Sequence, residues 1–300
     1  MSPLVWHPGY VAPLRPGHRF PMTKYGYLRH RLVADGVMPA ETGPAPGKAP
    51  PALLAAVHDP AYVGRALDGA LTRDEVRRIG LPQLPLVVER ARRASAGTLL
   101  AARIALERGF AANLAGGSHH AGPDGGAGFC LFNDAAVAAH ALIAEARLAR
   151  IAILDLDVHQ GDGTARIFQN TPEVLTVSVH AARNYPARKA VSDHDIALAD
   201  GAEDAAYLTA VAQALELVVA ARPDLVLYNA GVDPWEGDRL GRLAVSLDGL
   251  ARRERAVLAR LAAAGLPVAA MLGGGYGDDP AEVAARHALL FAAAAELRLI

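Results

Sequence analysis

The 300-residue chain has one cysteine, Cys130, and only three lysines, Lys24, Lys48 and Lys189. A single thiol excludes an intramolecular disulfide framework and fits a reducing compartment. Neither charge is in excess: 30 Lys and Arg stand against 31 Asp and Glu, for a net charge of −1. That balance implies neither a nucleic-acid footprint nor a polybasic membrane surface. The shortage of Lys beside abundant Arg and Ala fits genomic base composition rather than function. No uninterrupted apolar run approaches the ~20 residues of a membrane span. The opening MSPLVWHPGYVAPL also lacks the basic region and apolar core of a secretory signal. The expectation is a cytoplasmic protein that binds neither nucleic acid nor membrane directly, with its oligomeric state open.

What is present is a regular alternation of strand and helix signals. Strands are expected at 3–6, 110–115, 151–157, 174–180, 224–230 and 268–272. Helices are expected at 24–32, 91–109, 133–147 (with Asn133 as N-cap), 203–221, 250–264 and 280–297. The linker-like stretch Thr42–Pro51 is too short to divide the chain, and no internal repeat is visible. One domain over residues 1–300 is expected, a parallel sheet covered on both faces.

The stretch IAILDLDVHQGDG, Ile151 to Gly163, organises the rest. An apolar run that would be buried on both faces turns abruptly into Asp155, Asp157 and His159. Strand alternation would put these three on one side, at the carboxyl end where open α/β sheets carry their sites. Three other expected strand ends carry unusual chemistry: GGSHH with His119 and His120, GVD with Asp233, and GGGYG with Tyr276. Parallel strands bring these ends to one edge. Asp157, His159 and Asp233 fit the three ligands of a catalytic zinc and would also accept Fe²⁺. An adjacent His pair suits proton transfer, and Asp155 and Asp162 are available to fix the imidazoles. Tyr276 could donate to an oxyanion. Cys130, lacking a separate base, reads as packing; His180 is open between a structural and a site role. His58, His140, His194 and His287 read as structural or surface groups.

GGSHHAGPDGGAGFCLFND, LDLDVHQGDGTARIF, TVSVH, YNAGVDPWEGDRLG and LGGGYG together resemble the signature blocks of the histone deacetylase family, within the arginase–deacetylase superfamily. The class IV and related bacterial members are the most similar, and the resemblance runs from about Leu4 to Ala295. It implies a three-layer α/β/α domain with an open, mostly parallel eight-stranded sheet. It further implies Asp157, His159 and Asp233 as metal ligands and His120 as general base and acid. His119 would be its electrostatic partner, with Asp155 and Asp162 as supports, and Tyr276 would polarise the scissile carbonyl. Phe129 and Tyr185 would wall an acyl-lysine tunnel, with Gly128 as its backbone and Gly274 among the substrate-binding residues. A structural K⁺ would sit at Asp155, Asp157, His159, Ser178 and Val179.

Gln160 stands where many relatives have a second His, and Asn184-Tyr185 replaces a Phe-Phe pair. No counterpart of the rim Asp that holds substrate backbone is evident. The expected activity is metal-dependent hydrolysis of acyl-lysine in proteins or peptides. Small acylated amines such as acetylpolyamines, or long-chain acyl-lysine, are the alternative substrates. An acidic residue at the tunnel mouth would favour the polyamine. The segments His7–Met22 and Arg73–Pro85 are expected to build the rim as loops.

Overall fold

The computed structural model describes residues 2–41, 43–145 and 148–300. Its strands are β1 (Leu4–Val5), β2 (Phe110–Asn113), β3 (Ile151–Asp155), β4 (Val174–Ala181), β5 (His194–Leu198), β6 (Leu225–Asn229) and β7 (Val268–Met271). They form one sheet in the order β1-β2-β7-β6-β3-β4-β5. Every pairing in it is parallel. The sheet therefore has seven strands among the described residues, not the expected eight. In the long connection after β6, Trp235 and Val245 form an isolated parallel bridge rather than a strand. Asp238 turns the chain between them, its Oδ1 accepting from the Leu240 and Gly241 amides at 2.9 and 3.0 Å.

The central strands are buried along their whole length, which their unbroken Val, Ile, Leu and Ala runs require in a sheet covered on both faces. β5, reading HDIAL, was not expected. It is a half-exposed edge strand whose five residues give only a weak alternation signal.

The helices are α1 (Lys24–Ala34), α2 (Pro51–Ala55), α3 (Pro60–Asp68), α4 (Arg73–Ile79), α5 (Pro85–Arg108), α6 (Asp134–Ala144), α7 (Asp162–Phe168), α8 (Asp204–Ala221), α9 (Leu247–Ala263) and α10 (Pro280–Glu296). α5 covers β1, β2, β7 and β6 and packs on α6, which meets α7. α8 covers β3, β4 and β5 and continues through α9 and α10 to α1. These are the two outer layers. Asn133 caps α6 as expected, its Oδ1 accepting from Ala136 N at 3.0 Å, and the helix ends at Ala144. The expected continuation of that helix to Arg147, and Thr42 at the start of the linker-like stretch, lie outside the described residues. α8 is long and apolar enough by composition to span a membrane. Its Tyr207, Val211, Leu215 and Val218 stripe is instead buried against the sheet, the position of a core helix.

Sheet order explains how distant motifs meet. β2, β7, β6 and β3 are consecutive and parallel, so the segments leaving them emerge side by side at one edge.

Candidate active site

β3 ends at Asp155, two residues earlier than the expected strand, so alternation along a strand does not orient Asp157 and His159. The chain is bent there by its own side chains: Asp155 Oδ1 accepts from Asp157 N at 3.2 Å, and Asp157 Oδ1 from His159 N at 3.0 Å. Carboxylates bonding the backbone two residues on are what turns an Asp-rich segment out of a strand. The segment following β6 crosses to meet it, with Asp233 Oδ1 accepting from Val158 N at 2.9 Å. From β7, Gly274 N donates to Asp157 Oδ2 at 2.5 Å. A Cβ at Gly274 would press on Asp233 and lie 2.7 Å from Asp157 Oδ2, so only glycine leaves this cradle open.

Asp157, His159 and Asp233 are brought together as the sequence implies. One donor atom from each lies within 4.8 Å of the others, and all three are buried. His159 Nδ1 is 2.9 Å from Asp157 Oδ1 and 3.1 Å from Asp233 Oδ2. Burial, then the charge of Asp157, pushes Asp233 up to about 7. Burial opposes a proton on His159, but hydrogen bonds to both carboxylates outweigh it and raise its pKa to about 10. Two buried carboxylates have converged on one point, where a proton on Nδ1 is the positive charge at hand. That donor set fits a divalent cation.

The His pair is equally specific. His119 Nδ1 is 2.6 Å from Asp155 Oδ2, and His120 Nδ1 is 2.7 Å from Asp162 Oδ1. The two environments differ. Burial disfavours charge on His119, yet Asp155 and Asp157 overcome it and hold the pKa at about 9. Burial and the neighbouring His119 charge take His120 down to about 4. At neutral pH one imidazole is charged and the other is free to accept a proton. Pairs pushed apart in this way mark acid–base chemistry.

Gly128 and Phe129 are anchored by their amides to the carbonyls of Arg78 and Ile79, at 3.1 and 2.7 Å. Both have positive φ, 54° and 66°, which seats Phe129 against Phe20 and Tyr276 with ring centroids 5.5 and 5.9 Å away. Tyr185 stands edge-on to His120 at 4.7 Å. Phe129 and Tyr185 thus border, with Gly128, a cavity of about 350 Å³ that reaches His120, His159 and Tyr276. Burial raises the pKa of the Tyr276 hydroxyl, keeping it a neutral donor. The outer lining includes Arg19, Arg77, Arg78 and Gly80 and no carboxylate. Both expected rim segments contribute, although the second does so as helix α4 rather than as a loop.

Several residues of the site carry no signal readable from one sequence. Asn229 Nδ2 donates to Asp155 Oδ1 at 2.8 Å. Asp238 Oδ2 accepts from Tyr276 N at 2.7 Å. Lys24, wholly buried and lowered to about 8 by burial, donates to the carbonyls of Gly273 and Gly275 at 3.2 and 3.3 Å. Arg90 lines the inner side of the site, stacked over Tyr25, with Nε and Nη2 unpartnered. Helix spacing marks both cations only as surface charges. Cys130 is buried packing as expected, its thiol pKa raised by burial. His58 bridges Gly122 O and Asn133 N, a structural role, and His180 pairs with Ser178 Oγ.

The histone deacetylase domain model matches residues 18–292. An uncharacterised protein of a Picosynechococcus strain is 48% identical over 98% of this chain and 99% of its own length. Histone deacetylase 2 of Arabidopsis thaliana is 33% identical over 89% of this chain and 72% of its own. Among solved structures, the acetylpolyamine aminohydrolase of Burkholderia pseudomallei superposes with a TM-score of 0.75 at 26% identity, covering 97% of each chain. The HD domain of HDA15 gives a TM-score of 0.79 at 23% identity, over 96% of this chain and 89% of its own, and shows the fold alone.

Proposed function

The chain belongs to the histone deacetylase family, and on that premise we propose that this deacetylase-type hydrolase uses a divalent metal, zinc first, to remove acyl groups from lysine side chains in proteins or peptides. The observation that carries the proposal is the buried Asp157–His159–Asp233 donor set at the foot of a cavity bordered by His120 and Tyr276. Fe²⁺ suits the same donors. A bound divalent ion supplies Lewis acidity and lowers the pKa of water toward about 7.

The chain's own groups do the rest. His120, its Nδ1–H directed to Asp162, presents Nε2 to take a proton from the attacking water and then returns it to the leaving amine. His119, held on Asp155, stays protonated and adds positive charge beside the developing oxyanion. The Tyr276 hydroxyl donates to that oxyanion, worth roughly 3–4 kcal/mol of transition-state stabilisation for a donor of this kind. Phe129 and Tyr185 exclude water from the alkyl stem of the substrate. A structural K⁺ at Asp155, Asp157, His159, Ser178 and Val179 belongs to the same proposal, supported by the pairing of Ser178 with Asp155 across β4 and β3.

The relative named acetylpolyamine amidohydrolase, 34% identical over 64% of this chain, keeps acylated polyamines as the second substrate reading. The test is metal analysis of the purified protein together with hydrolysis of acetyl-lysine peptides, longer acyl-lysines and acetylpolyamines. We expect one divalent ion per chain, lost in Asp233→Asn, and turnover of acyl-lysine. A protein that binds no divalent ion, or that carries one and cleaves none of these amides, would overturn the proposal.

A further inference from the structure

The rim of the cavity is cationic in a chain that is not. Arg19, Arg77 and Arg78 line its outer part and are exposed. The segment 183–189, whose Asn184 and Tyr185 line the cavity, also carries Arg183 and Arg188, both exposed, and Lys189, and contains no Asp or Glu. The Lys189 ammonium donates to the carbonyls of Asn184 and Pro186, beside the cavity-lining Asn184 and Tyr185, and feels the charges of Asp162, Asp195 and Asp200. With 30 basic and 31 acidic residues in all, this clustering does not follow from composition.

The acids near it are engaged elsewhere: Asp193 accepts from Thr176, and Asp195 from Gln160 and Ser192. Glu75 is held by Arg65 across the α3–α4 pair. Asp162 is buried on His120. Among the described residues only Asp74 pairs with a rim cation, Arg77, at 2.8 Å, and both side chains are about 81% exposed, where pairing is weak. Among the described residues, no carboxylate lies within 4.0 Å of Arg19, Arg78, Arg183 or Arg188.

Resting on the proposed acyl-lysine hydrolysis, we propose that this arginine collar selects acyl-lysines set among acidic residues and discriminates against cationic substrates such as acetylpolyamines. The position of the collar decides which part of the substrate it meets. The acyl carbonyl must reach His120, His159 and Tyr276 at the cavity floor, so the collar faces the end of the substrate farthest from the carbonyl, the peptide around the lysine. Exposed arginines attract carboxylates over roughly a Debye length, about 8–10 Å at physiological salt, which spans the residues on either side of the modified lysine. They also form bidentate pairs with carboxylates that do reach them. A polyamine would bring a second positive charge to the same place.

The test compares kcat/KM of the metal-loaded enzyme on acetyl-lysine peptides flanked by Asp or Glu, by neutral residues, or by Lys. The series also includes a neutral peptide whose acyl chain ends in a carboxylate, and an acetylpolyamine. We expect at least a tenfold preference for acidic over basic flanks at 50 mM salt, shrinking severalfold at 500 mM. In Arg19→Gln/Arg77→Gln the acidic-to-basic ratio should fall threefold or more. Cleavage of the neutral-flank peptide with no dependence on flanking charge would overturn the collar while leaving the hydrolase reading standing. Loss of activity on every substrate would overturn that reading instead. A preference confined to the carboxylate-ended acyl chain, or stronger competition by an oligonucleotide than by an unacylated acidic peptide, would also overturn the assignment.

Discussion

At the scale of single residues, the site is a set of groups whose environments have been driven apart. The Tyr276 hydroxyl is kept neutral by burial. Tyr276→Phe should leave metal content unchanged and reduce turnover by ~10²-fold or more, as removal of an oxyanion donor does; undiminished turnover would take the hydroxyl out of the reaction. Asp162 supports His120 by accepting its Nδ1–H. Asp162→Asn keeps the volume but can turn an amide N–H toward that nitrogen, favouring the wrong tautomer. Turnover should drop on the order of 10²-fold or more with KM little changed, which steady-state kinetics on one peptide will show. The sign of the His120 shift also makes a pH statement. Its pKa is depressed to about 4, so the neutral, proton-accepting form persists above that value and is lost only as pH falls through it. The raised value for His159, about 10, works the other way. A ligating imidazole must first shed that proton, so metal uptake by the apoprotein near pH 7 should release protons, measurable by titration in buffers of different ionisation enthalpy. Uptake without proton release would contradict the ligand assignment.

At the scale of elements, α4 determines where the cavity wall stands. The C-terminal carbonyls of that helix, at Arg78 and Ile79, hold the amides of Gly128 and Phe129, while a Thr72–Glu75 capping box secures its start. α4 has only seven residues, too short to persist without caps and tertiary contacts. Thr72→Ala should therefore cost ~1 kcal/mol of stability. It should also raise KM more than it lowers kcat, since the wall loosens while the floor does not. Equal effects on both constants would argue against this division. Caps and breakers mark the start of α6 at Asn133 and the end of α5 at Gly109, but α5 begins at Pro85, six residues before the expected start, because its apolar periodicity is weak there. The short, highly charged RDEVRRI segment of α4 has little apolar periodicity, so its sequence alone points to a loop. β5, five residues long, is likewise too short to show its alternation in the sequence.

At the scale of the molecule, one buried network ties the site to the outer layer. Arg253 of α9 donates to Tyr207 Oη at 3.1 Å and to Gly231 O at 2.5 Å, and pairs with Glu254. Glu254 in turn accepts from Tyr228 Oη at 2.8 Å. Gly231 opens the segment that delivers Asp233. Arg253→Ala would leave Glu254 buried without its partner and should destabilise the fold by ~3–5 kcal/mol. The double variant Arg253→Met/Glu254→Leu should recover much of that stability in denaturant unfolding without restoring the position of Asp233. Full recovery of metal affinity in the double variant would show that the network serves folding alone.

The chain's local order determined a good deal by itself: the alternation of strand and helix, the buried strands marked by unbroken apolar runs, and the residue types collected at four strand ends. Those follow from hydrophobic periodicity and from the short-range preferences of Asn, Gly and Pro. What local order could not decide is distance. Asp157 and Asp233 meet because β3 and β6 are neighbours, a fact of sheet order. His119 becomes charged because Asp155 and Asp157 surround it after folding, and His120 stays neutral because it is buried beside that charge. Lys24 and Arg90 look like surface charges on their helices and become buried site groups only when α1 and α5 close over the glycine loops. Charge, burial and proximity between residues a hundred positions apart are properties of packing, and only the folded chain sets them.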